Sequence, residues 1–146
     1  MAGVKPNFII AMYCLSILLI RPSFLNAAII GLLSGAICQL FPGTPYLNFA
    51  SELVGALVMY FLLCIPVNIG FGKLDLKPIV TTFLSTLASG FTFIAILNLA
   101  FLSGANVKTP VFAAFLVIIF GTATINSILV QALYLPLKAA LVKDRK

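Results

Sequence analysis

Five long apolar runs, separated by short polar or proline-containing stretches, set the pattern of the chain. They cover roughly residues 6–20, 22–41, 49–69, 78–102 and 110–137. About 20 consecutive apolar residues are enough for a helix to cross the hydrocarbon core of a bilayer. We therefore predict an all-α integral membrane protein, with one multi-pass domain over residues 1–146 and about five transmembrane helices.

The first run is the shortest, and at 1.5 Å per residue it covers only about 22 Å of a core about 30 Å thick. It can span only if its flanks snorkel or the bilayer thins. A signal peptide is the competing interpretation, with Lys5 as its basic end. Because the run meets Arg21-Pro22 without a clear cleavage site, we interpret it as a helix.

Composition supports a membrane setting and makes the lipid bilayer the first expected partner. Hydrophobic residues make up 62% of the chain, charged residues 8%, and the mean hydropathy is +1.21. A soluble domain typically has about 25% charged residues. The net charge of +6 comes from basic residues at the ends of apolar runs, a pattern that indicates membrane topology and not nucleic-acid binding.

Alternation of the five runs across a bilayer separates the basic residues unequally. One side receives only Lys5 and Lys108, and the other receives Arg21, Lys73, Lys77, Lys138, Lys143, Arg145 and Lys146. The positive-inside rule then predicts a cytoplasmic C-terminus and an outside N-terminus. Such an N-terminus is unusual without a leading helix, so we expect one further helix upstream, giving six spans.

The polar stretch of residues 41–52 interrupts the apolar pattern in the middle of the chain. Glu52 lies in the expected first turn of run three, with Asn48 or Ser51 as the expected N-cap. One interpretation is a carboxylate that water reaches and the helix dipole favours. The other is a counter-ion for the ammonium group of a ligand.

Other polar side chains extend this candidate site towards the outer ends of the helices. Asn98 is expected at roughly the depth of Glu52, and Asn126 shares a helix face with Thr122. Polar residues inside spans are costly, and they either bond neighbouring helices or bind ligands. The predicted substrate-binding residues are Glu52, Asn48, Tyr46, Asn98 and Asn126.

Small residues at helical spacing predict close contacts between helices. Ala27, Gly31 and Gly35 line one face of run two, which could pack inside the protein or against a partner subunit. Ser85 and Ser89 suggest the same for run four. Both patterns are typical of membrane helices.

The chain lacks the residues that several kinds of functional site require. The chain has no histidine, its three cysteines have no CxxC spacing, and it offers no intramembrane carboxylate pair. The segment Gly70-Phe-Gly-Lys73 is not a P-loop, because Val67 stands where the first glycine belongs. We expect neither an enzyme nor a metal or cofactor site, and any transport energy must come from an ion gradient or another subunit.

Three segments carry a family resemblance. They are Lys-Pro-Asn-Phe-Ile-Ile-Ala-Met from Lys5, Arg-Pro-Ser-Phe-Leu-Asn-Ala-Ala-Ile-Ile-Gly-Leu-Leu-Ser-Gly from Arg21, and Phe-Pro-Gly from Phe41 followed by Asn48. They resemble the bacterial tryptophan transporter family, which is similar to the substrate-binding S components of energy-coupling factor transporters. The resemblance implies a six-helix bundle, here lacking its first helix.

The resemblance also implies a function and partners. Tryptophan would be the substrate, and an energy-coupling factor transmembrane and ATPase module would supply the energy, in a bacterial cell membrane. Indole suits phenylalanine and tyrosine walls, and an ammonium group suits Glu52. The rival hypothesis is a small membrane scaffold or accessory subunit in which the small residues only pack helices.

Overall fold

The structure, a computed structural model, describes residues 7–41, 46–66, 68–71, 74–104 and 112–143. Five α-helices dominate it: α1 (Ile9–Ile20), α2 (Phe24–Cys38), α3 (Leu47–Cys64), α4 (Lys77–Leu102) and α5 (Phe112–Lys143). Between α3 and α4, β1 (Gly70–Phe71) and β2 (Leu74–Asp75) form an antiparallel pairing of two residues each. The predicted all-helical class is confirmed apart from this short hairpin.

Helix α1 lies at the centre of the bundle and contacts all four other helices. Helices α2 to α5 follow one another as neighbours around it. Seven of the twelve residues of α1 are buried, among them Tyr13, Cys14 and Ile17. Apolar helices of this length are commonly buried in a protein core. Most hydrophobic side chains of α1 accordingly pack against other protein side chains.

The prediction of five spans is only partly confirmed. Helices α3, α4 and α5 are long and apolar enough to cross a membrane, whereas α1 and α2 are shorter apolar helices. Helix α1 ends where Arg21 adopts left-handed backbone angles (φ 48°) before Pro22, and α2 gives way to a turn at Gln39. The turn at Gln39 ends α2 before its apolar run ends, whereas α1 ends with its run at Ile20 and is shorter because it begins at Ile9.

The other helix boundaries also differ from the apolar runs. Helix α3 begins at Leu47 after Tyr46, so the predicted N-caps Asn48 and Ser51 lie inside the helix. Helix α4 starts at Lys77, with a proline in its first turn, and α5 continues to Lys143 through Pro136. Proline in a helix removes one backbone hydrogen bond but does not always end the helix.

The bundle buries polar side chains and exposes apolar ones. Ser85, Thr82 and Ser89 are buried, while Leu33, Val117 and Ile128 are exposed on the outside. Soluble monomers rarely expose such continuous apolar surfaces. The arrangement is compatible with a protein surrounded by lipid.

The small residues of α2 pack inside the protein, which resolves the alternative left open by the sequence. A Cβ at Gly31 would lie 2.9 Å from the carbonyl oxygen of Glu52, and one at Gly35 would lie 2.7 Å from Cα of Phe49. Elsewhere on α3, Ser85 of α4 donates a hydrogen bond to the carbonyl oxygen of Gly55 at 2.8 Å. Close backbone approach therefore joins α2, α3 and α4.

Basic side chains of the described residues gather at one end of the bundle. Arg21 ends α1, Lys77 begins α4, and Lys138 lies near the end of α5. Lys77 donates to the carbonyl oxygen of Ile65 at 3.0 Å, which places the start of α4 beside the end of α3. Lys5, Lys73, Lys108, Arg145 and Lys146 lie outside the described residues, as does part of the 41–48 loop.

We expect Gly35→Ala to destabilise the fold, because the new methyl group would overlap the backbone of α3. Overpacking of this kind costs about 1–3 kcal/mol. Gly121→Ala is the matched control, since Gly121 is also helical and has nothing within 4 Å of an added Cβ. Thermal unfolding in detergent should show a lower Tm for Gly35→Ala only. Equal Tm values would contradict the close α2–α3 contact.

Candidate functional site

Glu52 is the one acidic side chain buried in the interior among the described residues. It is the sixth residue of α3, and its side chain is 1% exposed. Of the two interpretations of Glu52, the first-turn carboxylate reached by water is therefore wrong. The helix begins earlier than the apolar run suggested, and this moves Glu52 into the second turn, where it faces the bundle.

Three neutral donors, from the segment before α1, from α2 and from α4, surround the Glu52 carboxylate. The Asn7 amide, just before α1, and the Cys38 thiol at the end of α2 both donate to Oε1, the thiol at 3.8 Å. The Ser89 hydroxyl of α4 donates to Oε2 at 3.3 Å. Hydrogen bonds to ionised groups are stronger than neutral ones. The carboxylate thus ties the beginning of the chain to α2, α3 and α4.

Asn7 links this carboxylate to α5. Its Oδ1 accepts a hydrogen bond from the backbone N–H of Ile9 at 3.1 Å, which orients the side chain at the start of α1. Its carbonyl oxygen accepts from Nδ2 of Asn126 at 3.1 Å, and Asn126 is fully buried. Asn126 and Glu52 are therefore parts of one cluster, joined through Asn7.

Two atoms in this region have no hydrogen-bond partner among the described residues. They are the hydroxyl of Tyr13 and Oδ1 of Asn126, both buried. The Tyr13 hydroxyl lies beside Glu52 and Ser85, and it fits there because Gly55 has no side chain. Buried polar atoms are nearly always paired in folded proteins. The Tyr13 hydroxyl can donate or accept a hydrogen bond, and Oδ1 of Asn126 can accept one, from a small molecule bound near the carboxylate.

The remaining predicted site residues do not join the cluster. Tyr46 is 77% exposed and adopts φ 68° before α3, while Asn48 is half-buried with its carbonyl oxygen against Gly35. Asn98 follows Ser89 by nine residues on α4, a separation of about 13 Å along the helix axis. The expectation that Asn98 lies at the depth of Glu52 is therefore wrong.

The cluster includes four residues that the sequence analysis did not select for the site: Asn7, Tyr13, Cys38 and Ser89. Each is a polar or small residue within an apolar run, which is the signal that could have identified them. The sequence does not reveal that these residues contact Glu52, because Asn7, for example, is 45 positions away from it. Cys14 and Cys38 are buried, and Cys64 is exposed.

The chemistry of the cluster is that of a hydrogen-bonding and charge-binding site. A carboxylate can hold an ammonium group, and a tyrosine hydroxyl and an amide oxygen can accept further N–H donors. Among the described residues, no three histidine, cysteine or acidic side chains meet in a metal-binding group.

We expect Asn7→Ala to lower the stability of the protein. The change leaves Oε1 of Glu52 without its amide donor, and a buried group that loses its partner costs about 1–3 kcal/mol. Asn26→Ala is the control, because Asn26 is exposed on α2. Thermal unfolding in detergent should show a lower Tm for Asn7→Ala and an unchanged Tm for Asn26→Ala. An unchanged Tm for Asn7→Ala would argue against the hydrogen bond.

Comparison of the chain with family models, with curated proteins and with solved structures finds no match in any of the three. The resemblance to the tryptophan transporter family thus stays a prediction from the sequence.

Proposed function

We propose that this protein is a membrane transport protein that binds tryptophan, or another aromatic amino acid, with the ligand's ammonium group at Glu52. The observation that carries the proposal is the buried Glu52 carboxylate, held by Asn7, Cys38 and Ser89. It supports a solute site, whereas membrane location and substrate identity come from the sequence.

The high energetic cost of burying the Glu52 carboxylate favours a functional role for it. Removing an ionised carboxylate from water costs several kcal/mol even after the protein relaxes. Ionisable residues within membrane segments are rare and commonly mark the path of a solute or ion. If position 52 only filled space between the helices, an apolar residue would pack there equally well.

The two oxygens of Glu52 differ in the hydrogen bonds they already accept. Oε1 accepts from Asn7 and Cys38, whereas Oε2 accepts only from Ser89 among the described residues. An ammonium group would therefore bind at Oε2 or displace the Asn7 amide from Oε1, and it could use the Tyr13 hydroxyl and Oδ1 of Asn126 as further acceptors. Asn48, Tyr46 and Asn98 stay predictions for the outer part of the site.

Energy for transport would come from elsewhere. A separate energy-coupling factor transmembrane and ATPase module would be the partner, in a bacterial cell membrane with the C-terminus in the cytoplasm. The uneven distribution of basic residues in the sequence supports this orientation.

A membrane scaffold is the second candidate, and one observation favours it. Side chains from three separate parts of the chain donate to Glu52, so the cluster can be explained as a link between helices. Close glycine contacts at Gly31 and Gly35 fit the same role. A scaffold has no saturable binding of a small solute, which separates the two candidates.

We expect calorimetry to show saturable, tryptophan-selective binding to the purified protein, with phenylalanine and riboflavin as comparison ligands. Glu52→Gln should weaken that binding by about 10- to 100-fold, because it removes a charge-assisted hydrogen bond. Asp75→Asn is the matched control at the other end of the bundle. Asp75 Oδ1 accepts from the Lys77 N–H at 3.0 Å, and asparagine keeps that oxygen.

The outcomes distinguish the site from the function. Equal tryptophan affinity in Glu52→Gln and the unmodified protein would show that Glu52 does not bind the ligand. Absence of binding to the unmodified protein would support the scaffold. The chain contains no tryptophan, so the ligand's own fluorescence provides an independent readout.

A further inference from the structure

A second site lies at the opposite end of the bundle from Glu52. There the ends of α1 and α3 and the start of the α1–α2 connection enclose a groove of about 250 Å³. This volume is below that of a typical drug-sized pocket, about 300–1,000 Å³, and suits a small headgroup. The groove is lined by Ile17, Arg21, Pro22, Tyr60, Leu63 and Cys64.

Arg21 gives the groove its charge. The residue is exposed, and its backbone N–H donates to the carbonyl oxygen of Ile17 at 2.9 Å, which fixes the end of α1. The planar guanidinium group presents several donors and matches phosphate oxygens in a bidentate arrangement. Among the described residues, no hydrogen bond or ion pair engages this group within the protein.

Two cations at the same end of the bundle, Lys77 and Lys138, have partners of their own. Lys77 donates to the carbonyl oxygen of Ile65, and the Lys138 ammonium lies 5.1 Å from the centre of the Tyr134 ring. They add positive potential around the groove but do not line it. Arg21 is therefore the side chain placed to bind an anion there.

The other side chains that line the groove suit contact with a lipid. Tyr60 is held edge-on against Phe24, with ring centres 5.8 Å apart, and tyrosine is typical of the boundary between membrane and water. Ile17 and Leu63 continue the lining with apolar surface along the helices. A ligand that fits has an anionic head and an apolar body.

We propose that this groove binds an acidic phospholipid, with the headgroup phosphate at Arg21 and the upper acyl chain against Ile17 and Leu63. Basic pockets between membrane helices on the cytoplasmic side commonly bind such headgroups. The site is separate from Glu52 and needs no tryptophan, although it does require that the protein lie in a membrane.

Cys64 provides a reporter within the groove. It is the exposed member of the three cysteines, while Cys14 and Cys38 are buried and serve as internal controls. The experiment measures the alkylation rate of Cys64 by a maleimide, using mass spectrometry on protein in neutral detergent. The added probes are phosphatidylglycerol, phosphatidylcholine and soluble glycerol 3-phosphate.

We expect phosphatidylglycerol to slow Cys64 alkylation and phosphatidylcholine to slow it much less. Arg21→Gln should weaken the protection by phosphatidylglycerol about fivefold in apparent affinity, the effect of one basic residue near an anionic lipid. Lys138→Gln removes the same charge at the same end and should leave the protection nearly unchanged. Continued protection of Cys14 and Cys38 verifies that each variant is folded.

Three results would overturn the proposal. Equal protection by both lipids would indicate simple shielding by any bilayer component. Equal weakening in Arg21→Gln and Lys138→Gln would indicate diffuse attraction with no site. Equal protection by glycerol 3-phosphate would indicate a site for a soluble anion. If Arg21→Gln does not fold, Arg21→Lys tests the same groove, because lysine keeps the charge but loses the bidentate donors, and unchanged protection by phosphatidylglycerol would then count against the proposal.

Discussion

A buried carboxylate constrains everything around it, because each of its oxygens needs a donor once water has been removed. In this protein the carboxylate belongs to Glu52, and its donors come from the start of the chain, the end of α2 and the middle of α4. Asn126 of α5 joins through the Asn7 carbonyl oxygen. A single ionisable side chain thereby holds all five helices in register at one end.

Close packing makes that convergence possible. Gly31 and Gly35 let α2 lie directly on the backbone of α3, and Gly55 leaves room for the Tyr13 hydroxyl between α1 and α4. Larger residues at these positions would separate the helices and withdraw the donors from Glu52. Small residues are the usual means by which apolar helices approach one another when lipid removes the hydrophobic driving force. The polar cluster and the glycine contacts therefore depend on each other.

The two ends of the bundle have opposite chemistry. Helix α1 lies between Asn7, which is beside the Glu52 carboxylate, and Arg21, which lines the groove, so the central helix connects the two proposed sites. An amino group suits the first end and a phosphate suits the second. The two proposals therefore place a cationic solute and an anionic lipid at opposite ends of the bundle.

Sequence alone determined the helical class, the approximate positions of five helices and the apolar exterior, because these follow from local hydrophobicity and from breaks such as Arg21-Pro22. It also singled out Glu52 and Asn126, since polar groups stand out in apolar runs. Tertiary structure decided that short α1 is the core and that Glu52 is buried, and it separated Asn98 from Glu52. It alone brought Asn7 to Glu52, because a contact across 45 positions depends on how whole helices pack and leaves no periodic trace in the sequence.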